Sequence, residues 1–292
     1  MTAPRRCLYR MTTGRTAWSV ALRRGMLAND WEVAGAMPPG AAPDLVMLER
    51  EGGSALVFLG AKAPVDDVAH ADLVLCASAR ALPGLRAAGA RRVLHLPLCS
   101  DLTETTPPLP AASTQPYCAL NSDDRSERLE GFFAIFSEGL GFLTRRQQLR
   151  VAGSLGVALP GDPRWRPFAA TNAARFLAVG PLSRDALAPF YQGARAVLMP
   201  VTHDAEAEIA DALACGRPVI AASQMLEVAG PLPEGVLGAG VWVADTPPAW
   251  RALIRAAMAG ELPAPPLSLR AAVSPGRFAQ ALGEAIGALP PG

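Results

Sequence analysis

The chain has a single lysine, Lys62, among 27 basic residues, so arginine carries nearly all of its positive charge. The 26 acidic residues leave a net charge of +1, which gives no electrostatic reason to expect nucleic acid as a partner. No stretch of roughly 18 residues is apolar without a charge, glycine or proline, so no transmembrane helix is predicted. The N-terminal residues lack the apolar stretch of a signal peptide, and a cytoplasmic protein is expected.

Cysteine is also scarce. The five cysteines are odd in number and scattered, and no C-x-x-C spacing occurs, which excludes a disulfide framework and a zinc site of the usual spacing. The paired acids Asp66-Asp67 and Asp123-Asp124 are interpreted as loop and helix-start residues, not metal ligands. We therefore predict no metal and no cofactor. At 292 residues, the chain is long enough for two domains.

The first third alternates short apolar runs with amphipathic stretches. Helices are expected over about 16–28 and over Ala79–Ala88, with the loop Thr12–Arg15 after the first strand. Because continuous apolar runs are typical of buried parallel strands, a small parallel sheet with helices on its faces is expected. The predicted strands are Cys7–Met11, Asp44–Leu48, Ala55–Leu59, Leu73–Cys76 and Arg92–Leu96.

A proline-rich stretch, 101–116, interrupts this alternation and is typical of a linker. The alternation then resumes, which predicts an α/β protein with two Rossmann-like domains facing a cleft. The expected domains are 1–105, a linker over 106–116, a second domain over 117–270, and a terminal helix in 271–292 that packs back toward the first domain. In the second domain the predicted strands are Tyr117–Leu120, Leu149–Ala152, Arg175–Val179, Ala196–Met199, Pro218–Ala221 and Trp242–Ala244. The predicted helices there and in the tail are Leu129–Glu138, Arg184–Gln192, Glu206–Cys215, Pro248–Met258 and Pro275–Ile286.

The most informative segment runs from residue 191 to residue 220. It reads as the strand Ala196–Met199, the polar loop Pro200–Ala205, the helix Glu206–Cys215, Gly216 and the strand Pro218–Ala221. Open α/β sheets bind ligands at the carboxyl ends of parallel strands, where a helix N-terminus favours anionic groups. The segment therefore predicts a nucleotide-binding edge.

Several motifs resemble those of the large retaining family of GT-B glycosyltransferases, and they occur in the family's order across most of residues 70–245. The run 176–200 (FLAVGPLSRDALAPFYQGARAVLMP) resembles the family's G-x-V-S-x-x-E-L-x-x-x-Y pattern, and 210–220 (ADALACGRPVI) resembles L-E-A-M-A-C-G-x-P-V-I. Shorter matches are 149–153 (LRVAG), 226–228 (LEV), 71–78 (ADLVLCAS) and 92–101 (RVLHLPLCSD). The resemblance implies transfer of a sugar from a nucleotide-sugar donor, with retention and without an essential metal.

The resemblance also implies a pair of acids separated by seven residues around the loop and helix described above. Asp211 falls on the second acid, which bonds the ribose hydroxyls in the family. His203 stands where the first acid is expected, and its imidazole is predicted to contact the donor sugar. We therefore assign His203 to catalysis and Asp211 to donor binding.

The family neutralises the leaving diphosphate with an arginine and a lysine, five residues apart, after the first strand of the second domain. Arg125 matches the arginine, and it is the second catalytic candidate. Glu130 stands where the lysine is expected, and Arg128, one helical turn away, is the predicted substitute because a guanidinium suits phosphate. Loss of one such cation can lower the rate by about 10²–10³, by analogy with an oxyanion donor.

The remaining donor-binding candidates lie in loops and at helix ends of both domains: Thr202, Glu227, Gly14, Thr13 and Lys62. The predicted partners are a nucleotide-sugar and an unknown glycan, lipid or protein acceptor, with peripheral membrane association and homodimer formation left open. Two alternatives to a transferase remain. One is a catalytically degraded GT-B relative that acts as a nucleotide-binding or scaffold protein, and the other is a sugar-nucleotide epimerase of related fold.

Overall fold

A computed structural model describes most of the chain. The described residues are 5–11, 17–37, 41–50, 54–59, 67–77, 81–96, 99–100, 102, 115–122, 126–200, 205–229, 232 and 235–289. They divide into two compact units. The first comprises 1–100 with 229–231 and 273–292, and the second comprises 101–228 with 232–272. Most of the predicted linker, like the predicted loop Thr12–Arg15, lies outside the described residues.

The first unit contains a six-stranded sheet in the order β2-β1-β3-β4-β5-β6. Its strands are β1 Arg5–Met11, β2 Trp31–Ala34, β3 Leu45–Arg50, β4 Ser54–Leu59, β5 Leu73–Cys76 and β6 Val93–His95. Its helices are α1 Ala17–Ala28, α2 Ala81–Ala87 and, from the end of the chain, α11 Pro275–Gly287, with a 3-10 turn at Val68–His70.

Successive side chains along a strand point to opposite faces of a sheet, and in the first unit both faces are apolar. One face packs on α1 and α11 through residues such as Leu22, Phe278 and Leu282, which are all buried. A smaller cluster around Leu56 and Val74 covers the other face. A Cβ added to Gly25 would lie 2.9 Å from Leu282 Cδ2, so glycine permits the close approach of α1 and α11.

The prediction that all strands of this sheet are parallel is wrong for one strand. β4 runs antiparallel to both neighbours, with Val46 opposite Phe58 and Leu56 opposite Val74. Its six residues are buried or nearly so, and such a run gives no indication of direction, since both faces are covered in either case. The short connection of three residues between β3 and β4 allows only a hairpin, because a parallel pair needs a crossover of a dozen or more residues.

The second unit contains a six-stranded parallel sheet in the order β12-β11-β10-β7-β8-β9. Its strands are β7 Tyr117–Asn121, β8 Gln148–Ala152, β9 Phe176–Ala178, β10 Val197–Met199, β11 Val219–Ala221 and β12 Val241–Val243. Its helices are α3 Ser126–Phe136, α4 Gly153–Ala158, α5 Trp165–Asn172, α6 Arg184–Gln192, α7 Ala205–Ala214, α8 Ser223–Ala229, α9 Pro247–Ala259 and α10 Leu267–Ala272. Together the two units confirm the predicted fold class of two Rossmann-like α/β domains.

An aromatic cluster covers one face of the second sheet. The rings of Phe132, Phe168 and Phe176 lie 5.5 to 6.0 Å apart, mostly edge to face, and Trp165 packs on Phe176 at 4.6 Å. Edge-to-face pairs of this kind contribute about 0.5–1.5 kcal/mol each beyond the area that they bury. The cluster fixes α3 and α5 against the sheet, and thereby the start of α3 near the end of β7.

The three tyrosines of the chain are all buried, and burial is the largest cause of a raised pKa at each: Tyr9, Tyr117 and Tyr191. The Tyr9 hydroxyl also donates to buried Glu49 at 2.7 Å, which raises its pKa further. A raised folded-state pKa means that stability is present below the ordinary value of 10.0 and is lost as the pH rises beyond it.

We therefore expect no phenolate absorbance from the folded chain as the pH passes 10.0, the ordinary pKa of tyrosine. The absorbance should appear together with alkaline unfolding, followed by circular dichroism in the same samples. Phenolate absorbance that rises to the level of all three tyrosines while the dichroism spectrum stays native would contradict the buried placement.

Within the described residues, no helix is both long enough and apolar enough to cross a bilayer.

Candidate functional site

The strand order of the second unit places a switch point between β7 and β10. The chain passes from β7 outward through β8 and β9, then returns to β10 on the other side of β7 and continues through β11 to β12. If these six strands are numbered 1 to 6 along the chain, their order in the sheet is 3-2-1-4-5-6, which is the order of the doubly wound nucleotide-binding fold. Ligands of such folds bind at the carboxyl ends of the strands where the order reverses. The ends of β7 and β10 therefore define the candidate site.

Arg184 and Asp211 form a partly buried ion pair between α6 and α7. The α6 helix begins directly after its N-cap Ser183, whose hydroxyl accepts from the Ala186 N–H at 3.3 Å. The Arg184 guanidinium donates twice to the Asp211 carboxylate, with Nη2 at 2.8 Å from Oδ1 and Nη1 bonded to Oδ2. The Asp211 side chain is 4% exposed and that of Arg184 is 36% exposed. A bidentate contact of this kind orients the guanidinium plane.

Tyr191 is a further residue near this ion pair. Tyr191, near the end of α6, is fully buried, and burial raises its pKa well above the ordinary value. The nearby carboxylates of Glu208 and Asp211 raise it further, whereas the Asn121 side chain at the end of β7 acts in the opposite direction. The tyrosine therefore stays a neutral phenol between the end of β7 and the α7 helix. The Tyr191 hydroxyl has no hydrogen-bond partner among the described residues, but its pKa shows that Glu208, Asp211 and Asn121 are its polar neighbours. With Arg184 and Tyr191 we call these residues the polar cluster.

The turn after β8 passes very close to the end of β7. Gly153 has a φ of +79°, and a Cβ added there would lie 2.2 Å from the Ser122 carbonyl oxygen and 3.1 Å from Asn121 Oδ1. The same carbonyl accepts from the Leu155 N–H at 3.1 Å. Only glycine fits this conformation and this contact. The turn therefore holds the end of β7, and Asn121 with it, in place beside the switch point.

Glu130, which stands at the expected lysine position, is part of an exposed ion network. Arg164 donates to both carboxylate oxygens of Glu130 at 3.0 Å and to Asp162 at 2.8 and 2.9 Å. The Arg164 guanidinium also lies 4.3 Å from the centre of the Phe133 ring. These hydrogen bonds lower the Asp162 pKa to about 2. Since two carboxylates surround one guanidinium, the network carries no excess positive charge and does not replace the lysine.

The structure describes only some of the predicted site residues. Asp211 lies in the polar cluster, but its carboxylate holds Arg184. The side chains of Arg128 and Glu227 are outside the described atoms, although their backbones lie in α3 and α8. The remaining candidates lie wholly outside the described residues: His203, Arg125, Thr202, Gly14, Thr13 and Lys62. Their assignments stay predictions.

Four residues of the cluster were not predicted as site residues from the sequence: Arg184, Tyr191, Glu208 and Asn121. Tyr191 matches the tyrosine of the family motif but was given no role in the site, and the motif singles out neither an arginine after the serine nor a partner for it. Glu208 lies three residues before Asp211, on the same helix face, and this spacing is the one signal that points to it. Among the described residues, no group of three or more metal-binding side chains converges.

The two Rossmann-like units have the fold of the GT-B glycosyltransferases. No family model and no curated protein matches the sequence. Among solved structures, the chain is similar to Anabaena HepE in complex with UDP and glucose, with 14% identity and a TM-score of 0.56 over 76% of this chain and 64% of HepE.

Two further glycosyltransferases share the fold. AviGT4, involved in avilamycin A biosynthesis, is 14% identical with a TM-score of 0.53 over 97% of each chain. The lipopolysaccharide outer core galactosyltransferase WaaB is 15% identical with a TM-score of 0.52 over 75% of this chain and 62% of WaaB. At these identities the likeness shows the fold alone. The chain thus spans slightly less than two thirds of HepE and WaaB but nearly all of AviGT4.

Proposed function

We propose that the protein is a glycosyltransferase that takes a sugar from a nucleotide-sugar donor bound at the β7–β10 switch point. The polar cluster at that point carries the proposal, because it brings two carboxylates, an arginine and an asparagine to the edge where this fold binds nucleotides. Support comes from HepE, which has the same fold and was solved with UDP-glucose. The acceptor is a glycan, lipid or protein, and the transfer is retaining and independent of metal.

In this proposal Asp211 acts partly through Arg184. Its carboxylate fixes the guanidinium, which remains about one third exposed and can donate hydrogen bonds to a phosphate, although the pair as a whole carries no net charge. As the bond between the sugar C1 and the diphosphate oxygen breaks, negative charge grows on the leaving diphosphate. A fixed cation that interacts more strongly with this charge than with the bound donor lowers the barrier. Arg184 thus supplies, from α6, charge-assisted hydrogen-bond donors to the diphosphate, which Glu130 cannot supply from α3.

His203 and Arg125 keep the roles that the resemblance implies. His203, which precedes α7 in the sequence, contacts the donor sugar, and Arg125, which precedes α3, contacts the diphosphate together with Arg128. Thr202 and Glu227 complete the donor site in this unit, and Thr13, Gly14 and Lys62 of the first unit stay donor-binding predictions. Peripheral attachment to a membrane would suit a lipid acceptor.

A non-catalytic nucleotide-binding protein is the second candidate. One observation favours it. Asp211, the acid expected at the ribose, is paired with Arg184, and Glu130, at the position expected to contact the phosphate, is paired with Arg164. Such a chain would bind a nucleotide or a partner without transferring a sugar.

A thermal unfolding screen against UDP, GDP, CMP and their sugar conjugates tests nucleotide binding. A ligand present at about 100 times its Kd should raise the free energy of unfolding by about 2.7 kcal/mol. Stabilisation by one base with release of free nucleotide from its sugar conjugate supports the transferase, since many transferases hydrolyse the donor slowly when no acceptor is present. Stabilisation without release favours the second candidate. No stabilisation by any nucleotide contradicts the transferase and also a nucleotide-binding role, and leaves only the binding of a partner.

A further inference from the structure

The first unit contains an arginine-lined cavity at the edge of its sheet opposite the carboxyl ends of β5 and β6. Its volume is about 540 Å³, and Leu73 and Val93, the first residues of β5 and β6, form part of its wall. The two strands are parallel, so both amino ends lie at this edge. The cavity is therefore separate from the strand ends at which this fold class binds its nucleotides.

Three arginines line the cavity: Arg86, Arg91 and Arg92. All three residues are exposed, and no aspartate or glutamate lines the cavity. In the part of the chain that the structure describes, no carboxylate lies within salt-bridge distance of any of them. Three like charges around one cavity repel one another, and an anion between them would relieve that repulsion.

Helix ends account for the placement of two of these arginines. Arg86 lies in the last turn of α2, and Arg92 Nη1 donates at 3.2 Å to the carbonyl oxygen of Ala288 at the end of α11. Both positions are favourable for a cation, because the C-terminus of a helix carries partial negative charge. No helix end accounts for Arg91, which adds a third charge to the same cavity.

The rest of the lining is apolar, with Leu73, Val93, Leu94 and Ala285 among its residues. The fork of a guanidinium matches the oxygens of a phosphate, and apolar walls favour an apolar group next to it. From this combination we propose that the cavity binds the phosphate group of an amphipathic molecule. That phosphate belongs either to a soluble organic phosphate or to the headgroup of an anionic lipid. The proposal does not depend on the function of the second unit.

The test compares the full chain with R86Q/R91Q, which leaves Arg92 and its bond to Ala288 in place. The matched control is R145Q/R146Q, because Arg145 and Arg146 are also adjacent, exposed arginines but lie outside the cavity. Binding is measured to hexyl phosphate by calorimetry, and to phosphatidylcholine vesicles with and without phosphatidic acid by sedimentation. Circular dichroism establishes that each variant is folded.

We expect R86Q/R91Q to weaken binding about tenfold or more, since the variant removes two guanidinium groups that form charge-assisted hydrogen bonds to the phosphate. The control should bind as the unmodified chain does. If R86Q/R91Q, but not the control, loses binding to hexyl phosphate, the ligand is a soluble phosphate. If R86Q/R91Q, but not the control, loses binding to phosphatidic acid vesicles alone, the ligand is a lipid headgroup. Equal loss in both variants, or no binding of either probe by the unmodified chain, overturns the proposal.

Discussion

Replacing Arg184 with glutamine should weaken the binding of a nucleoside diphosphate about 10–100-fold while leaving the binding of the corresponding nucleoside nearly unchanged. The reason is that the guanidinium, fixed by Asp211, contacts phosphate in the proposed site, and charge-assisted hydrogen bonds contribute about 1.5–3 kcal/mol. Calorimetric titration with UDP and uridine, or with the base selected by the unfolding screen, measures both affinities. If the chain transfers sugar, kcat should fall as well, because the contact strengthens in the transition state.

The matched control for this variant is Arg251→Gln. Arg251 also pairs with a carboxylate of the second unit, Glu138, and its side chain is 25% exposed, but it lies outside the polar cluster. Equal loss of UDP and uridine binding in Arg184→Gln would show that Asp211 contacts ribose directly or that the pair only supports the fold. Glutamine also leaves Asp211 without a charged partner, so we expect the free energy of unfolding to fall by about 1–3 kcal/mol.

The sequence predicted most of the second unit because its signals are local. The strands Tyr117–Leu120 and Ala196–Met199 are short apolar runs, and the parallel order follows from the helices between them. In the first unit the direction of β4 was not predicted, because a run of buried residues is compatible with either direction. The short connection between β3 and β4 was the signal in the sequence that indicates a hairpin. The strand β2 was not predicted, because its four residues include an exposed glutamate and make no periodic pattern.

Prediction of the site was limited by contacts between residues that are distant in the sequence. The motif identified Asp211, but its partner lies 27 residues away on another helix. The replacement of lysine by Glu130 was visible in the sequence, whereas its pairing with Arg164, 34 residues further on, was not. Both pairings depend on how α3, α6 and α7 pack around the sheet. Residue type and spacing therefore indicated where the site lies, and the structure shows which of its charges are compensated.

The turn at Gly153 should be the most sensitive backbone position of the site, and Gly153→Ala should lower the free energy of unfolding by about 2–5 kcal/mol. About 1–2 kcal/mol of this arises from the positive φ of +79°, which costs an L-residue that amount. The added methyl group would lie 2.2 Å from the Ser122 carbonyl oxygen, so the backbone must shift, and overpacking of this kind costs about 1–3 kcal/mol. Urea denaturation followed by circular dichroism measures the difference.

Gly141→Ala is the control for this variant, because a Cβ there meets no atom within 4 Å and its φ is not positive. We expect the control to change stability by less than about 0.5 kcal/mol, as surface substitutions usually do. The displaced Ser122 lies next to Asn121, so Gly153→Ala should also weaken nucleotide binding at concentrations of urea where the chain is still folded. A variant that loses stability but binds nucleotide as before would place the ligand away from the end of β7. Because the cluster and the turn meet at Asn121, that result would contradict the proposed donor site itself and leave the fold unaffected.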